Sequence, residues 1–229
     1  MRSCAGFLVE KVRLFRQVLP LPGADGIMGL VAQFIPILYF AAVPELKHAV
    51  FVPDAAGLDK FFRSLKSRGC PFCELMGALN RHSRMYGNDP AANAGRCTRG
   101  QRVFCSDRGQ QRGCGRTFPV LFAWVLPRHS VTATLLWQAV QQWLGGLSRK
   151  ASWQTVTTPL ALDSFYHLLQ RLRRRLTTLR TVLAAVHRPP NSRHADPLLQ
   201  TFEHLQVVFP KVTCPLETFQ HHFQRPWTG

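Results

Sequence analysis

Five of the seven cysteines of this chain, Cys70, Cys73, Cys97, Cys105 and Cys114, fall within one 45-residue window. The stretch they occupy, residues 70–118, is rich in Gly and Arg and shows little hydrophobic periodicity. Such a stretch has little apolar material of its own to fold around, so something other than burial has to hold it. Disulfides fit poorly: the cysteine count is odd, and disulfide scaffolds are shorter, denser and secreted. A redox Cys-x-x-Cys lacks the βαβ context it needs. Clustered cysteines in a basic chain point to metal ligation in a reducing compartment.

The pair Cys70-Pro-Phe-Cys73 has the spacing of a zinc knuckle, in which both thiolates reach one Zn²⁺ at about 2.3 Å while backbone N–H groups bond to sulfur. A closed tetrahedral site needs two more ligands. Cys105 and Cys114 are the best pair, with Gly115 supplying a permissive turn and Phe118 placed to pack beneath the metal. Their eight-residue separation exceeds the usual two to four, so residues 106–111 are expected to bulge as a loop. Cys97 and His82 are alternates. A site built from four thiolates is structural, and it stabilises its fold outright.

Charge narrows the partners. The chain carries 29 Lys and Arg against 12 Asp and Glu, a net charge of +17. The excess is localised. Residues 62–129 hold twelve basic residues against Glu74, Asp89 and Asp107; residues 148–193 hold nine against Asp163; the rest cancels. Solubility needs net charge but not this placement, so a polyanion is the leading partner.

Along the chain, residues 1–46 form an apolar N-terminal segment. Within it Ile27–Val43 is shorter than the roughly 20 residues a bilayer core needs and contains Gln33 and Pro36. Three readings are open to it: a buried segment, which is favoured, a short span or uncleaved signal, and an over-extended start codon. Residues 47–69 read as a strand and a helix, with Asp54 as N-cap and Gly69 as stop. The zinc ribbon is expected over 70–126. Helices follow over 132–145, 148–156 and 162–187, then a linker at 189–194. Another helix runs over 196–209, with Asp196 as N-cap and Pro197 at its first position. A short tail after Pro215 is expected to fray. The fold class expected is mainly α with a small β ribbon, a helix-turn-helix over 127–188 and a long helix.

Two short helices, a break and a basic third helix are the helix-turn-helix order. The third would present Asp163, Ser164, Tyr166, His167, Gln170 and Arg171. Gln and Arg read adenine and guanine edges, and Ser and Tyr suit phosphate. Arg173, Arg174 and Arg175, with Arg149, Lys150, Arg102, Arg112 and Arg116, are candidate phosphate contacts. The apolar positions Phe165, Leu169, Leu172, Leu176, Leu179, Leu183 and Val186 alternate in steps of four and three, an a/d seam. It suits either a core helix packed on 196–209 or a homodimer.

The run CPFC, then Arg81-His82, then RVFC with CGRTFPVL, then an all-helical segment, resembles the N-terminal zinc ribbon of bacterial insertion-sequence proteins. Those carry CPxC, a short basic hairpin, RxxCxxCxxTF and a helix-turn-helix. The likeness covers roughly residues 68–180, and the long Cys105–Cys114 gap departs from it. It implies binding of element DNA, with catalysis elsewhere in the protein or by a transposase or recombinase on another chain, in a cytoplasmic, nucleoid-associated setting.

Enzymatic chemistry has little to draw on. Two-metal strand transfer needs converging carboxylates. Asp54, Asp59, Glu74, Asp89, Asp107, Asp163, Asp196, Glu203 and Glu217 show no motif, and several suit helix caps. Among the tyrosines, Tyr39, Tyr86 and Tyr166, Tyr39 lies in the apolar N-terminal stretch, and Tyr166 has His167 and Arg171 beside it, ordinary neighbours in a basic helix. Phosphate-loop, GxSxG and HExxH motifs are missing. The reading is therefore a non-catalytic, zinc-containing protein that grips double-stranded DNA. The alternatives are an active transposase or nuclease fragment, and an RNA-binding ribbon that stacks bases on Phe104, Phe118 or Trp124.

Overall fold

The computed structural model describes residues 49–88, 95–108 and 112–228. The expectations for residues 1–46 lie outside the described residues. The first half comprises β1 (Val50–Val52), α1 (Ala55–Arg63), a 3-10 turn at Leu65–Ser67, β2 (Leu79–Asn88), β3 (Arg96–Cys105) and β4 (Thr117–Phe122). The four strands form one sheet in the order β1-β4-β3-β2. β1 lies parallel to β4, with Val50 opposite Val120, and the other pairs are antiparallel. The lead-in strand thus belongs to the same sheet as the cysteine-rich strands. With seven helices beside this mixed sheet among the described residues, the class is mixed α/β rather than mainly α.

α1 starts where the sequence places it: the Asp54 carboxylate accepts the Gly57 N–H at 2.7 Å, satisfying one of the free donors of the first turn. The helix ends at Arg63, and its last stretch tightens into the 3-10 turn. Phe61, Phe62 and Leu65 are buried with Phe51, Val103, Phe118, Val120 and Leu121. This corrects the expectation that the ribbon lacks an apolar core. Part of the core comes from residues 51–65, outside the cysteine-rich stretch.

Gly100 marks a boundary in the sheet. Its φ is +152°, and a Cβ there would lie 2.1 Å from the Val120 carbonyl oxygen. Only glycine lets β3 pass β4 so closely. Gly100 is also where pairing with β4 ends, opposite Leu121, while β2 and β3 run on together to the Asn88–Arg96 pair.

The second half comprises α2 (Ala133–Leu144), α3 (Arg149–Gln154), α4 (Leu162–Arg174), α5 (Leu176–Ala184), α6 (Pro197–Val208) and α7 (Pro215–Phe223). Thr132, Ser148 and Asp196 cap α2, α3 and α6 through side-chain oxygens. One core gathers Leu136, Trp137 and Val140 of α2 with Phe165 and Leu172 of α4, Leu183 of α5, Phe202 of α6, Phe219 of α7 and Trp227. Trp153 stacks on Phe165 at 4.8 Å and 9°, joining α3 to α4.

Three expectations change here. The helix expected over 162–187 is two helices, broken at Arg175 (φ −107°, ψ 1°). No glycine or proline forces the break. At the break the Arg175 Nη1 donates to the Pro226 carbonyl at 3.0 Å. The seam residues Phe165, Leu169, Leu172, Leu179 and Leu183 are packed in the chain's own core, whereas Val186 is exposed. The tail after Pro215 does not fray; it forms α7 and returns Trp227 to full burial. Among the described residues no helix is long and apolar enough to cross a membrane.

Candidate metal centre and basic surface

The first knuckle lies in the turn that leads into β2. The Cys70 N–H bonds to the Leu75 carbonyl at 3.1 Å and the Glu74 N–H to the Cys70 carbonyl at 2.8 Å, with Glu74 in the left-handed region at φ 62°. The Phe72 N–H points at the Cys70 Sγ, 3.4 Å away. The second knuckle joins β3 to β4. Cys105 ends β3, its N–H bonding to the Arg116 carbonyl at 2.9 Å, and the Cys114 N–H points at the Cys105 Sγ at 3.4 Å.

The long spacing between Cys105 and Cys114 is resolved by a neck. The Gly113 N–H donates to the Ser106 carbonyl at 2.8 Å, and the Gly115 N–H to the Cys105 carbonyl at 3.1 Å. A Cβ on Gly113 would sit 2.1 Å from that Ser106 oxygen and 2.6 Å from the Cys105 Sγ. The neck brings residues 106 and 113 side by side, so the long spacing does not spread the ligands; residues 109–111 of the expected bulge lie outside the described residues. The two knuckles are tied together by the Ser106 N–H donating to the Ala78 carbonyl at 2.8 Å.

The four sulfurs of Cys70, Cys73, Cys105 and Cys114 all lie within 4.8 Å of one another. Cys70 to Cys114 and Cys73 to Cys105 are each 3.7 Å. A tetrahedron with metal–sulfur bonds of about 2.3 Å has edges of about 3.8 Å, so the sulfurs stand where four ligands of one ion would stand. Their acidities differ widely. Burial pushes the Cys105 thiol up to about 12 and raises that of Cys70; the Leu75 N–H holds Cys73 down at about 7. All four become thiolates together when a cation sits among them. Phe118 is buried beside this site, edge-on to Phe72 at 6.4 Å, as the sequence suggests.

The alternates lie apart from the four. The Cys97 Sγ contacts the Gly87 carbonyl across the β2–β3 pair at 3.4 Å, and the His82 Nδ1 pairs with Ser83 Oγ at 3.0 Å. Among the described residues this cysteine group is the only set of three or more Cys, His, Asp or Glu side chains close enough to share an ion. Asp54 and Asp196 are helix caps. Glu203 pairs with His194 at 3.3 Å, and Glu217 accepts from Thr134 Oγ1 at 2.6 Å.

The positive residues sort into two groups. Asp163, His167, Gln170, Arg171 and Arg174 are all exposed, at helical spacing along one stripe of α4. Arg149 and Lys150 of α3 are exposed too, with Arg149 over the Trp143 ring at 5.6 Å. Arg102 and Arg112 are exposed on the ribbon, and Arg116 lies over Phe72 at 5.3 Å. Other candidates are used inside the fold: Arg173 pairs with Asp196 at 2.9 Å and Arg175 with Pro226. Ser164 and Tyr166 are half-buried. Residues 155–161 join α3 to α4, a longer connection than the roughly 3–4-residue turn of a helix-turn-helix. Of the residues expected to stack bases, Phe118 is buried in the core, whereas Trp124 beside Phe122 and Phe104 beside His82 are half-buried.

Sequence reasoning missed one pair, Arg99 and His129. Arg99 of β3 donates to the carbonyls of His129 at 2.6 Å and Ser130 at 3.0 Å. Burial first, then the charges of Arg171 and Arg99, holds the His129 imidazole down at about 4. The ribbon and α4 therefore present positive charge to the same histidine. The sign of the pH effect follows. Unfolded, the ring titrates near 6.5, so between pH 6.5 and 4 the unfolded chain binds more protons. Stability falls as pH drops through that window. The urea midpoint is expected to fall between pH 7 and pH 5 by more in the wild type than in His129→Asn; equal losses would count against the assignment. His204, His221 and His222, also lowered chiefly by burial, act in the same direction in both proteins.

No protein-family model matches this chain, and neither a curated protein nor a solved structure is significantly similar to it.

Proposed function

We propose that the protein is a non-catalytic DNA-binding protein whose sheet is locked by one structural zinc ion and whose basic surface grips a duplex. The ion proposed for Cys70, Cys73, Cys105 and Cys114 is Zn²⁺, because four thiolates at tetrahedral spacing suit a soft, borderline cation with no open position. When bound, the ion supplies rigidity and charge neutralisation for the knuckles. The residues of the chain do the binding. The exposed stripe of α4, with Arg149 and Lys150, lies along phosphates, and Arg102, Arg112 and Arg116 extend the contact across the ribbon.

The observation that carries this reading is the exposure of the basic residues: Arg149, Lys150, Arg171 and Arg174 are exposed on α3 and α4, and Arg102, Arg112 and Arg116 on the ribbon. A duplex is a polyanion long enough to meet many such side chains at once. The resemblance to insertion-sequence zinc ribbons supports the same direction, with a transposase or recombinase on another chain as partner and a nucleoid-associated location. Direct binding tests it, using the full-length protein with a 30-bp duplex and with single-stranded RNA of the same length. The duplex is expected to bind more tightly, and log K to fall with log salt by about 0.9 for each phosphate contacted. Replacing Arg149, Lys150, Arg171 and Arg174 by Ala is expected to lower affinity at least about 10-fold and flatten the salt slope. A preference for the single strand, or an unchanged slope, would overturn it.

A further inference from the structure

The β2–β3 ribbon beyond Gly100 has no part in the proposal so far, and its chemistry is distinctive. β4 pairs with β3 only over Gly100–Phe104, while β2 and β3 stay paired out to Asn88 and Arg96. The sheet therefore narrows from four strands to a two-stranded arm. One irregularity in the register, between Met85 and Tyr86, falls where it narrows, and another, between Arg81 and Arg84, lies just before that point; such bulges bend and twist a ribbon. The four consecutive residues Arg81, His82, Ser83 and Arg84 are exposed. They lie on the outer strand beside the base of the arm, and the Arg81 guanidinium covers the Phe62 ring at 4.4 Å. Farther out, Tyr86, Asn88 and Arg96 are exposed as well, and the Arg96 guanidinium lies over the Tyr86 ring at 5.1 Å.

The arm is held at its base. Arg99 crosses Gly87, where a Cβ would meet its Cδ at 2.5 Å, and runs on to the His129 and Ser130 carbonyls. Gly87 leaves room for that crossing. The anchoring fixes the arm relative to the loop that leads into α2.

We propose that this arm enters the major groove of the duplex and reads base edges with Arg96 and Asn88, and with Arg84 at its base, while α4 holds phosphates. The inference rests on the duplex-binding reading above. A two-stranded ribbon with its side chains fits the roughly 12 Å major groove and not the roughly 6 Å minor groove. Arg pairs bidentately with guanine O6 and N7, and Asn with adenine N6 and N7. Stacking on Tyr86 pre-orients Arg96, which lowers the ordering cost of the contact. The α4 stripe is less suited to reading: its connection to α3 is long, Ser164 and Tyr166 are half-buried, and Arg173 is engaged with Asp196.

The test starts from a random 30-bp pool, from which the full-length protein is expected to enrich a sequence motif. Methylation of guanine N7 within that motif should block binding. Arg84→Ala with Arg96→Ala is expected to lose the interference and at least about 10-fold in affinity for the motif, with metal content and helical signal unchanged. Arg84→Lys with Arg96→Lys keeps the charge but not the fork, so it should bind random duplex like the wild type and lose the preference. Gln170→Ala with Arg171→Ala and Arg174→Ala should weaken motif and random duplex alike and keep the interference. If the arm variants keep the preference and the α4 variant loses it, or if no motif emerges, the arm proposal falls while duplex binding stands. If the wild type binds no duplex, both readings fall.

Discussion

Replacing Cys70 and Cys73 together by serine is expected to remove one zinc ion per chain and unfold the knuckle end of the sheet while the helices stay folded. The magnitudes set this expectation. A structural Zn²⁺ site contributes roughly 10–16 kcal/mol in zinc-finger peptides, more than the about 5–15 kcal/mol that stabilises a typical domain. The ribbon's apolar cluster, anchored by Phe61, Phe62 and Leu65, retains part of the sheet but not the knuckles. Their backbone bonds are few: Cys70 with Leu75 and Gly113 with Ser106 close local turns, and Ser106 with Ala78 is the one tie between the knuckles named above. The helical core is separate and contains Trp137, Trp143, Trp153 and Trp227, so tryptophan fluorescence follows it. Helical circular dichroism should persist, the melt should split into two transitions, and duplex affinity should fall at least about 10-fold as the ribbon's arginines lose their positions. In the wild type, Cys105 and Cys114 should resist a thiol reagent until a chelator is added. A double variant with wild-type metal content and one unchanged transition would defeat the assignment.

Local chemistry was legible in the sequence; what depends on distant partners was not. The caps at Asp54 and Asp196 and the stops after α2 and α3 are short-range, and each forms where the residues place it. The four sulfurs were legible because metal geometry constrains residue type more tightly than position. The gap between Cys105 and Cys114 was legible only as a departure, since the neck that closes it depends on Gly113 lying against Ser106. The break at Arg175 has no local signal, because the heptad pattern runs through it, and the contact made there is with Pro226, far along the chain. The β1 strand was seen, but its sheet partner was not. Periodicity gives a strand and its faces, whereas pairing with β4 is set by packing. The Arg99–His129 contact is of the same kind. An arginine in a basic strand and a histidine in a loop give no sign that they meet.

The C-terminal segment supplies the second large effect, because it ties the sheet to the helices through buried amides. Gln220 is fully buried. Its Nε2 donates to the Ala123 carbonyl at 2.6 Å and the Val125 carbonyl at 3.0 Å, both just after β4, and its Oε1 accepts the Trp227 N–H at 3.0 Å. One turn on, Gln224 treats the outer edge of β1 as a neighbouring strand would. Its Oε1 accepts the Phe51 N–H at 2.8 Å, and its Nε2 donates to the Phe51 carbonyl at 2.9 Å. Trp227 fills the core between, edge-on to Phe219 at 4.7 Å and near Phe202 at 5.9 Å. Trp227→Ala is expected to cost about 3–5 kcal/mol, the loss for a large aromatic removed from a close-packed core. Gln220→Ala strands two buried carbonyls and one buried N–H at about 1–3 kcal/mol each, so about 3 kcal/mol or more. Either loss is a large share of a domain's total stability. The two are not independent, because the Trp227 N–H is itself a Gln220 partner. Once the tryptophan no longer anchors the chain end, residues 225–228 move and Gln220 has less to lose. Urea unfolding of the two single variants and the double variant should therefore give a double loss smaller than the sum by more than about 0.5 kcal/mol. A sum that adds within that margin would mean that the tail and the sheet are held separately, and that the amide contacts do not act as one latch.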